Sequence, residues 1–267
     1  MIRSEKPHIK ITGGTHDGMR GKNNEDRYAF FHYLLSDSDP TPVIFAMIAD
    51  GIGGHNAGEV AAEIAVKMVG DSVSTSDGSQ PLEIMREAIE KAGNEIYIQA
   101  EKNKEQEGMG TTVICAWIIE NQLYIASVGN SRIYLLRNEK MMQINKDHSW
   151  VQEAIDLGVL DKMEARTHPY SSVIRRYLGS PETVEVDLRL WLDLEDSDTT
   201  AEKNQGTHLL AGDRLLLCSD GLNDMVYDEK IQEIICSKSG DLAIQELIEE
   251  ANNNGGNDNI TCILIDL

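Results

Sequence analysis

The chain is short of positive charge. Its 267 residues contain 24 Lys and Arg against 45 Asp and Glu, which gives a formal net charge of −21. A protein that binds nucleic acid needs a basic surface, because it must release the counterions of the phosphate backbone. The composition therefore excludes nucleic acid as the expected partner.

The sequence also lacks a long apolar run. No window approaches the ~20 apolar residues of a membrane span, and the N-terminal MIRSEKPHIKITGG has no apolar stretch after its charges. We therefore expect no membrane association and a cytoplasmic location.

Cysteine and proline are scarce, with four and six residues. The cysteines are widely spaced, form no Cys-x-x-Cys pair and have no histidine nearby at zinc-ligand spacing. Cys115, Cys218 and Cys262 lie within apolar runs, which predicts buried free thiols. With 41% apolar residues, the chain is typical of globular proteins despite its charge.

Hydrophobic periodicity predicts helices and strands in a mixed order. Residues 56–70, and the segment that begins near Pro81, carry apolar side chains at helical spacing. Residues 43–49 are almost wholly apolar, as in a strand buried on both faces. Further helices are expected at 149–157, 161–166, 229–236 and 241–251, and further strands at 214–219 and 260–266.

Shorter signals predict the remaining elements. The runs 112–119, 123–128 and 132–137 are separated by short polar turns, which predicts an antiparallel meander. Apolar and polar residues alternate from 184 to 192, which is typical of a half-buried strand. Residues 193–206 are acidic and without period, so we expect an exposed loop. Tight hairpins mixed with separate helix pairs favour an α+β fold.

Three aspartates stand beside apolar runs. Asp50 follows VIFAMIA, Asp220 follows LLLCS, and Asp258 precedes the last predicted strand. Such a carboxylate loses hydration unless a positive group meets it, and Lys and Arg are almost absent nearby. A divalent cation is the natural partner, and carboxylate oxygens suit Mg²⁺ or Mn²⁺ better than zinc.

A two-ion centre is one use of such carboxylates. Two ions that share a bridging carboxylate can activate water for attack at phosphorus. A single Asp-Gly pair, however, indicates no more than a turn. Periodicity alone does not place the three aspartates in one cleft.

Eight short segments between residues 23 and 261 follow an order shared with a known family. They are NNEDRYAF (23–30), ADGIGGHNAGEVAA (49–62), GMGTTV (108–113), VGNSRIYLLR (128–137), KDHSWVQEAIDLGVL (146–160), ARTHP (165–169), CSDGLNDMV (218–226) and NDNIT (257–261). On these segments the chain resembles the metal-dependent Ser/Thr protein phosphatases of type 2C, especially their bacterial branch.

The resemblance implies a four-layer α-β-β-α sandwich, in which helices flank two antiparallel sheets and a cleft at one end holds the metal centre. It implies a single catalytic domain over 1–267, with a helical flap at about 148–179 that shapes substrate access.

The resemblance also implies roles for the aspartates. Asp50 would bridge two Mn²⁺ or Mg²⁺ ions, and the Gly51 carbonyl would bind one of them. Asp220 and Asp258 would hold the other ion. Two ions per chain are therefore expected.

The segment before the first of these aspartates carries further expected roles. Glu25 and Asp26 would act beside the metal cluster, Asp26 mainly through metal-bound water. The family usually has its phosphate-binding arginine four residues before the Glu, where this chain has Gly21. Arg20 is the expected replacement, and Lys22 is the alternative, although a lysine lacks the two-pronged contact of a guanidinium.

Two other positions depart from the family pattern. Asn130 stands where the family usually has an aspartate that helps to bind a third ion, so that ion is doubtful although Asp224 remains. Ile52 occupies the position of a histidine proposed as general acid in many eukaryotic members, which would leave water to protonate the leaving group.

The function expected from the resemblance is hydrolysis of phosphoserine and phosphothreonine by direct attack of metal-activated water. The substrate would be a phosphorylated protein, such as a Ser/Thr kinase or one of its targets, and we expect a monomer. Two alternatives stay open at this point. One is a pseudophosphatase or phosphoprotein-binding module of the same fold, and the other is a two-metal hydrolase for small phosphoesters.

Overall fold

A computed structural model describes residues 1–4, 7–53 and 57–267 of the chain. The strands are β1 (Ile2–Arg3), β2 (Lys10–His16), β3 (Arg27–Leu34), β4 (Pro42–Ala49), β5 (Gly51–Ile52), β6 (Gly110–Thr111), β7 (Val113–Ile119), β8 (Gln122–Val128), β9 (Arg132–Arg137), β10 (Lys140–Gln143), β11 (Thr207–His208), β12 (Arg214–Cys218) and β13 (Ile260–Asp266). The helices are α1 (Gly58–Thr75), α2 (Pro81–Lys102), α3 (Trp150–Asp156), α4 (Lys162–Arg166), α5 (Asp198–Lys203), α6 (Asp220–Asn223), α7 (Asp228–Ser237) and α8 (Asp241–Asn253).

Two antiparallel sheets form the centre of the molecule. The first sheet has the strand order β1-β3-β4-β7-β8-β11, and the second has the order β10-β9-β12-β13-β2. Strands β5 and β6 form a small separate pair. The predicted α+β fold with two antiparallel sheets is confirmed.

Alternation along the central strands creates the layers. In β4, Phe45 and Met47 pack toward α1 and α2, whereas Ile44 and Ile48 pack toward the second sheet. This follows from the period of two in a strand, and it explains why the whole run is apolar. On the outer face of the second sheet, α7 and α8 cover a further apolar layer. The order of layers is therefore helices, sheet, sheet, helices.

Most of the predicted elements are confirmed. Strand β4, helix α2 with Pro81 in its first turn, and helices α3, α4, α7 and α8 lie where the periodicity indicates. Helix α1 runs to Thr75 rather than ending at 70, because Val73 continues its buried stripe. Asn56, at the predicted start of that helix, lies outside the described residues.

The predicted meander over residues 112–137 is wrong. Strands β7 and β8 form a hairpin, but β9 lies in the second sheet between β10 and β12. The cause is the turn after β8, where Gly129 has a φ of +111° and directs the chain across to the other sheet. The free edge of β8 pairs with β11 instead.

Two neighbouring predictions are also wrong. Residues 184–192 form no strand in the described structure and pair with β8 only at the Asp187–Ser127 bridge. The side chain of Gln205 replaces a paired strand at the edge of β8, because it hydrogen-bonds both the N–H and the carbonyl of Ile125. The expected loop at 193–206 contains α5, which buries Ala201.

Two smaller predictions concern thiols and membrane spans. Cys115, Cys218 and Cys262 are buried and free, as predicted, within the part of the chain that the structure describes. Among the described helices, none is long and apolar enough to cross a membrane.

Candidate active site

The acidic side chains predicted from sequence meet at one end of the sandwich. Glu25 and Asp26 precede β3, Asp50 follows β4, Asp220 begins α6 after β12, and Asp258 precedes β13. These strand ends come together because β4 lies in the first sheet opposite β12 and β13 of the second. Burial, and then the negative charges of neighbouring acids, raises the pKa values of Glu25, Asp26 and Asp50.

Asp26 is the most deeply buried member of the group. Its Oδ2 accepts a hydrogen bond of 2.8 Å from Ser219 Oγ, whereas its Oδ1 is buried without a hydrogen-bond partner among the described residues. Burial, together with the nearby charges of Asp220 and Asp258, raises the pKa of Asp26 to about 7. A buried carboxylate oxygen without a donor is a position where a cation or a water molecule fits.

Asp50 and Asp220 form a second close pair. Their carboxyl groups are near enough to share a hydrogen bond, and Asn130 Nδ2 donates to Asp220 Oδ2 at 2.8 Å. Burial raises the pKa of both carboxyl groups above the usual range; the charge of Asp220 raises the pKa of Asp50 further, and the charge of Asp258 raises that of Asp220. Two carboxylates at this separation ionise together only when a positive charge joins them.

Backbone contacts hold the Asp50–Gly51 peptide. The Asp50 carbonyl accepts hydrogen bonds from Thr112 N–H at 2.8 Å and from the Thr111 hydroxyl at 2.9 Å. A Cβ on Gly51 would lie 2.6 Å from the Glu25 carbonyl oxygen, so only glycine fits between β5 and the segment before β3. The loop that would carry metal-binding groups is thus packed closely against Glu25.

Asp258 is oriented differently from the other acids. It is exposed, its Oδ1 lies 3.7 Å from Lys22 Nζ, and the same atom accepts a hydrogen bond from Asn259 N–H. Among the described residues, no three His, Cys, Asp or Glu side chains are already grouped so that they could hold one metal ion. Carboxylate oxygens are nevertheless the donors that a hard divalent cation prefers, and in this structure Asp258 is directed toward Lys22.

Arg20 lies at the rim of the group. It is exposed, and its guanidinium donates from Nε to Asn257 Oδ1 at 3.0 Å, with a second contact from Nη2 to the same atom. Arg20 and Lys22 thus contact neighbouring residues, Asn257 and Asp258, on the same loop. Both cations are placed beside the acidic group, and neither is withdrawn into the core.

Asp224 follows the last residue of α6. Together with Asn130 it lines a cavity of about 220 Å³ between the flap, residues 148–179, and the start of α7. The Oδ1 of Asn130 is buried and has no hydrogen-bond partner among the described residues. Arg166 of the flap donates to the Asp224 carbonyl at 2.9 Å, which ties the flap to this loop.

Three further residues, which the sequence pattern does not indicate, hold the acids in place. Ser219 holds Asp26, Thr112 holds Asp50, and Asn259 donates to the Asp17 and Asn23 carbonyls while it accepts from Glu25 N–H. Each stands inside a segment quoted for the family resemblance, and Ser219 and Asn259 are each next to one of the acids in sequence. The only available signal was that adjacency, since the contacts connect distant parts of the chain.

Comparisons with known proteins agree with this geometry. A family model described as protein phosphatase 2C matches residues 13–264. The serine/threonine phosphatase Stp of Listeria innocua is 36% identical over 252 residues, which cover 91% of this chain and 90% of the relative. The structure of the S. agalactiae serine/threonine phosphatase has a TM-score of 0.83 at 31% identity, over 97% of this chain and 100% of that chain.

A further solved structure is that of the catalytic domain of the serine/threonine protein phosphatase PstP in complex with two manganese ions. It has a TM-score of 0.78 at 31% identity and covers 97% of each chain. Family model, sequence relative and solved structures all cover nearly the whole chain. The chain is therefore a member of the protein phosphatase 2C family.

Proposed function

We propose that the chain is a protein-serine/threonine phosphatase that depends on Mn²⁺ or Mg²⁺. The observation that carries this proposal is the convergence of Asp26, Asp50 and Asp220, with raised pKa values and an unpartnered buried oxygen on Asp26. The names of the relatives support it, and the two manganese ions of the PstP structure support a count of two ions per chain.

The family resemblance names the residues that would hold the ions. They are Asp50, the Gly51 carbonyl, Asp220 and Asp258, and the first and third of these lie together in the acidic group. Asp258 would exchange its contact with Lys22 for the metal. Asp224 would serve a third ion, which the neutral amide of Asn130 makes weak.

When bound, such ions lower the pKa of water and neutralise charge on the phosphate. The chain's own groups do the positioning. Asp26 Oδ1 and the Glu25 carboxylate would accept hydrogen bonds from water, while Ser219 keeps Asp26 in place. The Arg20 guanidinium binds phosphate oxygens.

Water attacks phosphorus directly in this scheme, without a covalent enzyme intermediate. Ile52 follows Gly51 and has no proton to give, so water would also supply the proton that turns the leaving serine or threonine oxygen into a hydroxyl.

The proposed partner is a phosphorylated protein, such as a Ser/Thr kinase or one of its targets. We treat residues 1–267 as a single, monomeric catalytic domain in which the flap borders the substrate cleft. The cavity beside Asp224, with apolar walls from Ile155, Met163 and Tyr227, would receive side chains that flank the phosphorylated residue. The net charge of −21 favours substrates with basic flanks.

A phosphoprotein-binding module that lacks catalysis is the second candidate. Two observations favour it: Asp258 contacts Lys22 rather than the other acids, and Asn130 occupies the position of a usual acidic ligand. Retention of the buried acids argues against it, because their raised pKa values are costly in a protein that binds no cation.

Hydrolysis assays separate these candidates. The purified chain is tested on an aryl phosphate and on a phosphothreonine peptide, with Mn²⁺ and with chelator. Mn²⁺-dependent cleavage of both supports the proposal, cleavage of the aryl phosphate alone indicates a small-phosphoester hydrolase, and peptide binding without cleavage indicates the binding module. Asp50→Asn should abolish cleavage, whereas the control Asp77→Asn, at an exposed loop position, should not change it.

A further inference from the structure

A buried histidine connects the base of the flap to the metal-binding acids. His148 begins the flap, and it is 7% exposed. Its carbonyl accepts from Arg175 N–H at 2.8 Å, and the adjacent Ser149 pairs with Ile174, so both ends of the flap meet here.

The imidazole of His148 has a separate contact at each nitrogen. Nδ1 accepts a hydrogen bond of 3.0 Å from Gly129 N–H, and Nε2 lies 3.3 Å from Asp187 Oδ2. An acceptor at Nδ1 requires that the ring proton sits on Nε2, where it is donated to Asp187. Arg189 donates hydrogen bonds to both carboxylate oxygens of Asp187, at 2.8 and 2.6 Å. Asp187 is therefore fixed in position, and it in turn fixes the orientation of the His148 ring.

The group that His148 holds is the turn formed by residues 129–131, whose conformation requires glycine at position 129. Gly129 has a φ of +111°, and a Cβ there would lie 2.5 Å from the Thr112 side chain. His148 satisfies both polar groups of this residue, because its own N–H donates to the Gly129 carbonyl at 2.8 Å. One residue therefore fixes the backbone at the point where the chain crosses between the sheets.

The 129–131 turn reaches two of the acids. Asn130 donates to Asp220 at 2.8 Å. On the other side, the Ser131 hydroxyl contacts the Thr112 hydroxyl at 2.9 Å, and that same Thr112 oxygen accepts from Asp50 N–H at 3.2 Å. A shift of the turn would thus displace both acids at once.

We propose that His148 is a positioning residue for the metal centre. It acts through its Nδ1 acceptor on Gly129, which sets the 129–131 turn and thereby the orientation of Asp50 and Asp220. The inference rests on the proposed function only in that these acids bind metal. Outer contacts of this kind commonly change metal affinity or activity by roughly 10- to 100-fold.

Two substitutions separate the contacts of the ring. In His148→Asn, the amide oxygen stands at the place of Nδ1 and can accept from Gly129, but the contact with Asp187 is lost. In His148→Gln, the amide reaches the place of Nε2 and can donate to Asp187, but no acceptor faces Gly129. If only the contact with Asp187 matters, the His148→Gln variant should therefore bind Mn²⁺ more tightly than the His148→Asn variant. His208→Asn, at an exposed position on β11, is the control.

The readout is Mn²⁺ binding to the metal-free proteins by titration calorimetry, with kcat and KM on a phosphothreonine peptide as a second measure. We expect His148→Gln to weaken Mn²⁺ binding by roughly tenfold or more, and His148→Asn to retain at least about fivefold tighter binding than Gln. A smaller difference, or the reverse order, overturns the proposal. The His208→Asn control should bind as the wild type does.

Two further outcomes are decisive. If neither variant folds, long-range proton–nitrogen NMR of the wild-type ring decides, since a neutral ring protonated at Nε2 supports the proposal and one protonated at Nδ1 overturns it. If the wild type binds Mn²⁺ but cleaves no phosphopeptide, the proposed function fails, and the order of Mn²⁺ affinities still decides the role of His148.

Discussion

Lys22 Nζ lies 3.7 Å from Asp258 Oδ1 and joins the segment before β3 to the loop before β13. Both side chains are more than half exposed, at 59% and 56%, so the pair adds at most about 1 kcal/mol to stability. Its importance is its location, because Arg20 contacts the adjacent Asn257. Two cations thus stand at the rim of one acidic group, and both are candidates for a contact with a phosphate.

Arg20 is expected to be the phosphate ligand of the two. A charged hydrogen bond contributes about 1.5–3 kcal/mol, so Arg20→Ala should raise KM for a phosphothreonine peptide by roughly tenfold or more. The kcat should change less, because the contact already exists in the ground state. Lys22→Ala is the matched control. A KM defect in Lys22→Ala with unaltered kinetics in Arg20→Ala would assign the phosphate contact to Lys22.

Asn130 provides a second prediction, on the third ion. Asn130, whose Oδ1 is buried without a partner among the described residues, lines the same cavity as Asp224, and an amide is a weaker ligand than a carboxylate. If a third ion assists turnover, Asn130→Asp should raise activity at millimolar Mn²⁺. The measurement is the dependence of the rate on Mn²⁺ concentration for both proteins. Identical curves would mean that this site has no part in turnover.

Asp187 and Arg189 give a prediction on stability and pH. Although burial opposes ionisation, hydrogen bonds from Arg189 and His148 hold the pKa of Asp187 well below its usual range. A depressed folded pKa contributes stability above the unfolded pKa of about 3.9, and that contribution is lost as the pH falls through the folded value. Asp187→Asn should therefore lower the free energy of unfolding by about 3 kcal/mol at neutral pH.

Urea unfolding of the Asp187→Asn variant at several pH values checks this sign. The difference from wild type should be constant from neutral pH down to about pH 5 and shrink below about pH 4. Asp198→Asn removes the exposed partner of Arg189 and should cost less than about 1 kcal/mol. A difference for Asp187→Asn that grows toward low pH would contradict the assignment.

The sequence pattern predicted those helices and strands whose conformation depends mainly on their own residues. Strand β4 is apolar on both faces, and α2 has a proline start and a regular stripe, so neither depends on distant partners. Strand β2 was missed because Gly13 and Gly14 interrupt its alternation and its pairing with β13 defines it. Helix α5 was missed because its composition is that of a loop, and burial of Ala201 against the core is a tertiary effect.

In the candidate site, too, some residues could be predicted from the sequence and others could not. The acids stood out because an aspartate beside an apolar run needs a partner of opposite charge. Their supports did not stand out, because a serine such as Ser219 becomes recognisable only when Asp26, 193 residues away in sequence, accepts its hydrogen bond. The sheet change at Gly129 was hidden for a similar reason, since a short polar turn predicts a hairpin regardless of which sheet the next strand joins.

The most direct test is hydrolysis of a phosphothreonine peptide by the metal-stripped chain, before and after addition of Mn²⁺, with Asp220→Asn and Asp258→Asn measured alongside. We predict background activity without metal, recovery with Mn²⁺, and a loss of at least ~2 kcal/mol of transition-state stabilisation in either variant, roughly thirtyfold in rate. Substantial peptide hydrolysis by the wild type in excess chelator, with removal of the metal verified, would contradict metal-dependent catalysis at these acids.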